Sequence, residues 1–502
     1  MDRRDFVRTS AMAAASAGTG RFKAMAQDRS ETAYQHRIAF GAWINDMRND
    51  ALPLQQWPAP EFDETTVAGV LRALDVISEA GYQYLDAFGL FATNEYPPDI
   101  VSAFGDRDRN ERVRRVFRAA DKRGVAISLP LGLFTWGYDR IISEDPEVRG
   151  KDAEGNPHAH AMCGAVEKSW GYVEKLIDTF LDRHDFGAVH LESADLGYCQ
   201  CPKCAGQYGV VGYNARLNQR AADYIKSRQP DVLVYVCPIN WVPWGLNEDG
   251  VQHKVSEDEL PYVQELSRHI DVFMDQGHRG RLLTWETARD LDCDYGTSGG
   301  LWAYHGARFD RLSYFVPYPK RAAEHLADHH ANGARACLYY QGPMINPAVE
   351  VNSAVAGRMM QDASRDGREV LEEVVDLYYG PRDEAARAKL TDVFVGVEDA
   401  YFGNWSAERI EAALGMEMPG ELCLGPLFNT APDPASYLLE PFLETDGRVD
   451  LKNALKRAIS DATELGHDVR DTERLARVKR SLTLMAQSLT TVMLVKGEAW
   501  AN

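Results

Sequence analysis

The sequence predicts a (β/α)8 barrel followed by a helical C-terminal region. From residue 36, short apolar runs alternate with amphipathic stretches, the pattern of a parallel α/β fold. Eight such runs fit into about 320 residues, the span of a barrel with long loops. No G-x-G-x-x-G follows an early run, which lowers a doubly wound dinucleotide-binding sheet as the rival.

In order, the predicted strands are Ile38–Trp43, Tyr82–Phe88, Val125–Leu131, Ala188–Glu192, Val232–Pro238, Ile270–Asp275, Gly299–Tyr304 and Ala334–Tyr340. Between them lie segments with helical spacing; Val67, Val70, Leu71, Leu74 and Ile77, for example, share one face. Beyond about residue 350 strand signals fade. Val351–Gln361, Glu369–Tyr379, Glu384–Ala400, Val449–Leu465 and Arg474–Val495 read as helices, interrupted by a Pro/Gly-rich stretch from Pro419 to Pro441. The expected organisation is a leader at 1–26, a barrel at 36–350 and a helical region at 351–502.

The chain has 502 residues, 75 acidic and 55 basic, for a formal charge of -20. That surplus argues against broad binding to nucleic acid or anionic membranes, since phosphate affinity is mainly cationic. Arg3-Arg4-Asp5-Phe6-Val7-Arg8, a short Ala-rich run and Ala24-Met25-Ala26 resemble a twin-arginine export signal with its cleavage site. Removing 1–26 would leave 50 basic and 73 acidic residues and a charge of -23. No run reaches the roughly 18 apolar residues of a membrane span. The mature chain is therefore expected to be soluble, and periplasmic or secreted. Oligomeric state is not readable.

Barrel chemistry sits at the C-terminal ends of the strands. Those positions hold Trp43 after strand one, Asp86 at strand two and Trp136 after strand three. His190, Glu192 and Asp195 end strand four, with Trp241 and Trp244 after strand five. Asp275 and His278 follow strand six, Trp302, Tyr304 and His305 end strand seven, and Tyr340 ends strand eight. Five of the ten tryptophans fall on this one face. An indole is a flat apolar plate suited to the C–H face of a sugar ring, and the competing reading is that these rings cap the core.

In Val189-His190-Leu191-Glu192 the two apolar residues fix the alternation, so His190 and Glu192 share the other face. Glycosidic cleavage needs one carboxyl as proton donor and a second as nucleophile or base. Glu192 is the first candidate for the donor and Asp195 the second; Asp86 and Asp275 are candidate partners, with nothing to decide between them. The aromatic and histidine positions named above are the candidate sugar contacts. A non-catalytic carbohydrate-binding barrel is the alternative. A catalytic metal on His190, Asp275, His278 and His305 lacks any H-x-H or H-E-x-x-H spacing to support it.

Cys199-Gln200-Cys201-Pro202-Lys203-Cys204 follows strand four, and Cys163 precedes it in another loop. This soft-ligand spacing suits a structural zinc, needed for no chemical step; two disulfides or free thiols are the alternatives.

A strand ending in an acid and then C-x-C-x-x-C resembles a group of secreted bacterial glycoside-hydrolase-like barrel proteins of unassigned function. These are distantly similar to α-glucuronidases and β-hexosaminidases. Leu301-Trp302-Ala303-Tyr304-His305 and Val374-Val375-Asp376-Leu377-Tyr378-Tyr379-Gly380 add to the resemblance, which covers roughly residues 160–400. It implies an exported hydrolase of an oligo- or polysaccharide of plants or algae, including those that carry uronic acid. The likeness to α-glucuronidases favours an acid at strand four, in agreement with Glu192. The adjacent Asp-Glu pair of β-hexosaminidases is absent, so an N-acetyl-assisted mechanism is not implied.

Overall fold

The computed structural model describes residues 31–41, 62–91, 100, 105–243, 253–275, 281–300, 315–403 and 445–495. Its centre is a closed barrel of eight parallel strands. These are β1 (His36–Phe40), β2 (Tyr84–Asp86), β3 (Ala126–Leu133), β6 (Ala188–Ser193), β7 (Leu233–Cys237), β8 (Val272–Asp275), β9 (Asp294–Gly299) and β10 (Ala336–Tyr340). The remaining pair, β4 (Arg149–Lys151) and β5 (Pro157–Met162), forms an antiparallel hairpin in the connection after β3.

Each barrel strand is followed by a helix that covers its outer side. In chain order the helices are α1 (Glu64–Glu79), α2 (Arg107–Asp121), α3 (Asp139–Glu144), α4 (Glu167–Arg183), α5 (Ala205–Arg228), α6 (Leu260–Ser267), α7 (Trp285–Arg289) and α8 (Pro319–Asn332). They continue through α9 (Pro347–Gln361), α10 (Gly367–Tyr379), α11 (Glu384–Phe402), α12 (Thr445–Glu464) and α13 (Thr472–Val495). The starts follow local chemistry. Asp63 accepts the Thr66 N–H at 2.8 Å and Asp106 accepts that of Arg109 at 3.0 Å, each relieving an unpaired first-turn donor. Among the described residues, no helix is long and apolar enough to cross a membrane.

Strand seven differs from expectation: it runs Asp294–Gly299 rather than Gly299–Tyr304. Its sequence, Asp-Tyr-Gly-Thr-Ser-Gly, has no apolar run to mark it. Neighbours fill the space instead, since a Cβ at Gly296 would meet Met274 Sδ at 2.7 Å and Ala336 Cβ at 2.9 Å.

Helix α9 packs against β10, α1 and α8, so the ring of helices closes with a segment that extends past residue 350. Buried Glu350 on α9 binds Arg474 and Arg477 of α13 at 3.0 and 3.3 Å, and Arg72 of α1 at 3.5 Å. One carboxylate therefore joins the ring to the last helix. Glu398 of α11 does similar work on α8. It accepts the backbone N–H groups of Lys320 and Arg321 at 3.0 and 2.8 Å and meets the Arg321 guanidinium at 3.3 Å.

Burial outweighs those donors and pushes the Glu398 carboxyl up to about 7. A folded value above the unfolded one makes this group's contribution full below about pH 4.3, with loss as pH rises toward 7. Thermal unfolding between pH 4 and pH 8 should therefore show a steeper fall with pH in the wild type than in Glu398→Gln. Parallel curves would mean that the donors hold the carboxylate at its ordinary value.

Candidate active site and cysteine centre

Strand β6 places the site. Its alternation turns His190 and Glu192 into the barrel, while Ser193 faces α5, where Asn218 donates to its Oγ at 2.8 Å. Four strands meet beneath Glu192. Asp86 Oδ2 of β2 accepts from Ser128 of β3 at 3.3 Å, from the Tyr235 hydroxyl of β7, and from His190 Nδ1 at 2.9 Å. Asp86 is fully buried, and such a charge requires partners of this kind. Tyr235 also stacks on the His190 ring, with centroids 4.8 Å apart and 19° between planes, and Phe40 of β1 meets its edge at 6.1 Å.

Above this cluster, His190 Nε2 lies 3.8 Å from Glu192 Oε2, and the Trp136 indole N–H donates to Glu192 Oε1 at 3.3 Å. Trp136 reaches Glu192 because Gly132, the register partner of Glu192 on β3, has no side chain. A Cβ built at Gly132 would fall inside the Trp136 ring. Glu192 is 3% exposed. The arrangement is a carboxyl with a different neighbour on each oxygen, walled by an indole and an imidazole.

The other candidates fall into distinct places. Asp195 is half-buried beyond a sharp turn at Ala194, whose φ is +74°, and its backbone carbonyl accepts from Asn240 at 3.0 Å. Asp275 is fully buried, and both its oxygens are engaged. It accepts the Leu282 and Leu283 N–H groups at 3.0 and 3.1 Å and the Tyr295 hydroxyl at 2.7 Å, which makes it a loop anchor. Burial nevertheless raises its carboxyl above the ordinary range. Trp241 is buried, donates to Ser193 Oγ at 3.2 Å and packs edge-on to Phe273. Tyr340 is buried with its ring edge on Phe40 at 5.1 Å. Trp43, Trp244, His278, Trp302, Tyr304 and His305 lie outside the described residues, as does the expected leader.

Sequence reasoning missed Tyr235, Ser128 and Gly132. Tyr235 was discoverable in principle, being a hydroxyl at the inward parity of Leu-Val-Tyr-Val-Cys; Gly132 carries no such mark.

The four cysteines do converge. The sulfurs of Cys163, Cys199, Cys201 and Cys204 all lie within 4.8 Å of one another, with Cys163 to Cys204 at 3.7 Å and Cys163 to Cys201 at 3.9 Å. A tetrahedron of thiolates about 2.3 Å from a central zinc has edges of about 3.8 Å, so the tetrad fits such an ion. A disulfide would need sulfurs at about 2.05 Å. The tight loop is pinned by Cys204 N–H on the Cys201 carbonyl at 2.9 Å. Hairpin strand β4 holds its rim: the Lys151 N–H donates to Cys199 Sγ at 3.3 Å and its carbonyl accepts from Gln200 at 2.7 Å. Hydrogen bonding from Cys199 and Cys204 pulls the Cys163 thiol down to about 4, while bonding to Cys163 and Cys199 pushes Cys204 up.

The cysteine loop is also tied to the exit of β3. Thr135 Oγ1 donates to the Gly197 carbonyl at 2.9 Å and accepts the Leu196 N–H at 2.8 Å. Trp136 is the next residue.

No family model matches the chain, and no curated protein matches its sequence. Solved structures do. The chain is similar to a GH138 enzyme targeting pectin rhamnogalacturonan II, at 12% identity and a TM-score of 0.54, covering 91% of this chain and 71% of that one. The chain shares its closed barrel fold with that enzyme. It is similar also to a GH89 enzyme from Clostridium perfringens solved in complex with its substrate GlcNAc-α-1,4-galactose. There the identity is 11% and the TM-score 0.55, covering 93% of this chain and 51% of that one. At such identity the likeness speaks for the fold, and the residues around Glu192 stand on their own geometry.

Gly132→Ala should expel Trp136 from its place over β3. Urea unfolding should show a loss of about 1–3 kcal/mol, the usual cost of overpacking. An unchanged midpoint would mean that the indole has room to move aside.

Proposed function

We propose that this chain is a glycoside hydrolase in which Glu192 gives a proton to the departing glycosidic oxygen. The observation that carries the reading is the setting of Glu192. It is a nearly buried carboxyl at the end of the fourth barrel strand, with Trp136 on one oxygen and His190 facing the other. A carboxyl at a barrel strand end, walled by an indole and within reach of an imidazole, has the setting in which a proton donor works. The saturated oxygens of Asp275 and the shared Oδ2 of Asp86 argue for anchoring roles, which leaves Asp195 as the described candidate for the partner carboxylate.

The proposed substrate is an oligo- or polysaccharide of plants or algae, with uronic-acid-bearing chains first in line. The GH138 neighbour, which targets a pectin, supports trying these. The proposed route out of the cytoplasm is twin-arginine export with loss of residues 1–26, supported by the paired arginines and the Ala24-Met25-Ala26 site. The cysteine tetrad is proposed to hold one structural zinc. Four sulfur ligands would leave the ion no open position, so its contribution is to fold stability.

Glu192→Gln should lower kcat on oligosaccharides by about 10²–10⁴-fold. The loss should be much smaller on aryl glycosides whose leaving group departs without a proton. Equal losses on both, or none, would remove Glu192 from this role; sugar binding without turnover by the wild type would favour a binding protein.

Metal analysis of the purified chain should find about one zinc, and Cys204→Ser should lose it together with several degrees of Tm. Thiols found paired by mass spectrometry after alkylation without reduction would replace the zinc with disulfides.

A further inference from the structure

The buried series Asp86, His190, Glu192 bears on how the proton of Glu192 is held, and it rests on the reading of Glu192 as the donor. An ionised carboxylate only accepts hydrogen bonds, so the 2.9 Å contact with Asp86 puts a proton on His190 Nδ1. Nε2 is then the atom turned toward Glu192, at 3.8 Å. The ring is clamped by Tyr235 stacked on one face and Phe40 against its edge, so it cannot exchange the two nitrogens without breaking the cluster. Among the described residues, the titratable groups facing it are Asp86 from β2, Glu192 from β6 and Tyr235 from β7; Ser128 of β3 bonds both Asp86 and Tyr235.

We propose that His190 and Glu192 are an electrostatically coupled pair that holds one proton between them, across a 3.8 Å gap too long for a direct hydrogen bond, and that His190 is the positioning residue that keeps this proton available to Glu192. In one form the proton is on Nε2 beside a carboxylate; in the other it is on Oε2 beside a neutral imidazole. The two forms have the same net charge. Donation breaks the Glu192 O–H bond and makes an O–H bond on the departing sugar. It leaves a carboxylate next to a neutral His190, and a proton from water restores the pair. His190 and Glu192 thus contend for the same proton, with Asp86 bonded to the far nitrogen of the ring.

The test is nitrogen NMR of the full chain labelled with 15N-histidine, followed from pH 4 to pH 9, with the His190 signals assigned by their loss in His190→Asn. The wild type should show the Nδ1-protonated ring. In Glu192→Gln, and to a lesser degree in Glu192→Asp, the His190 titration step should move to lower pH by about one pH unit. A step that stays in place in both variants, or a ring protonated only at Nε2, overturns the proposal. A second readout is the alkaline limb of the kcat/KM profile. His190→Asn keeps a donor toward Asp86, and should lower that limb by about one pH unit with KM unchanged. An unmoved limb also overturns the proposal. Full turnover by Glu192→Gln would instead overturn the donor assignment, while the NMR coupling could still be present, so the two failures are distinct.

Discussion

A buried carboxylate inside the barrel sets the terms for everything above it. Asp86 lies at zero exposure where four strands meet, and an ion there is tolerable only if donors surround it. Tyr235, Ser128 and His190 supply them to a single oxygen. Removing any donor would leave part of that charge unanswered, so the three side chains are fixed by Asp86 as firmly as they fix it. The orientation of His190 follows, and with it the direction from which Glu192 is approached. A barrel with an apolar centre would be simpler to stabilise, but its fourth strand would carry Glu192 with no imidazole beneath it.

A second constraint works from outside. The loop after β6 is held at three points: by the cysteine tetrad, by the edge of β4 through Lys151, and by Thr135 at the exit of β3. Thr135 precedes Trp136, whose indole contacts Glu192. The sulfur cluster therefore lies a few residues from the acid along either of two chain paths. Its contribution is to keep the exits of β3 and β6 in register with each other, while the Asp86 cluster fixes the interior. Neither does the work of the other.

The fold was legible because a parallel barrel advertises itself as apolar runs with turn residues between them, and seven of the eight strands had such runs. Asp294–Gly299 did not, since its space is filled by Met274, Ala336 and Tyr339 from neighbouring strands, a tertiary fact with no local trace. The hairpin at 149–162 was unreadable for a related reason. Its residues are polar, and it is held by backbone bonds to the cysteine loop. At the site, alternation correctly put His190 and Glu192 on one face, and spacing correctly gathered the cysteines. What sequence could not show was which acids were already engaged. Asp275 and Asp86 look like Glu192 in a string of letters, but hydrogen bonding commits the first to the 282–283 backbone and the second to the barrel interior.

The distribution of backbone strain points to the same place. Among the described residues, the non-glycine positions with left-handed φ are Phe134, Ala194 and Asn240, at +65°, +74° and +58°. They follow β3, β6 and β7, the three adjacent strands around Glu192. Each such residue costs about 1–3 kcal/mol, somewhat less for asparagine, and persists only where its surroundings leave no alternative. Here the surroundings are identifiable. The Phe134 carbonyl accepts from Met162 at 2.9 Å, the Ala194 carbonyl accepts from Gly197 at 3.1 Å, and Asn240 donates to the carbonyls of Ala194 and Asp195. A loop selected only for stability would relax these turns with glycine, as it does at Gly137 and Gly197 nearby. The strain retained on these three neighbouring strand ends is thus held by bonds between the loops themselves, which fix how the chain leaves β3, β6 and β7.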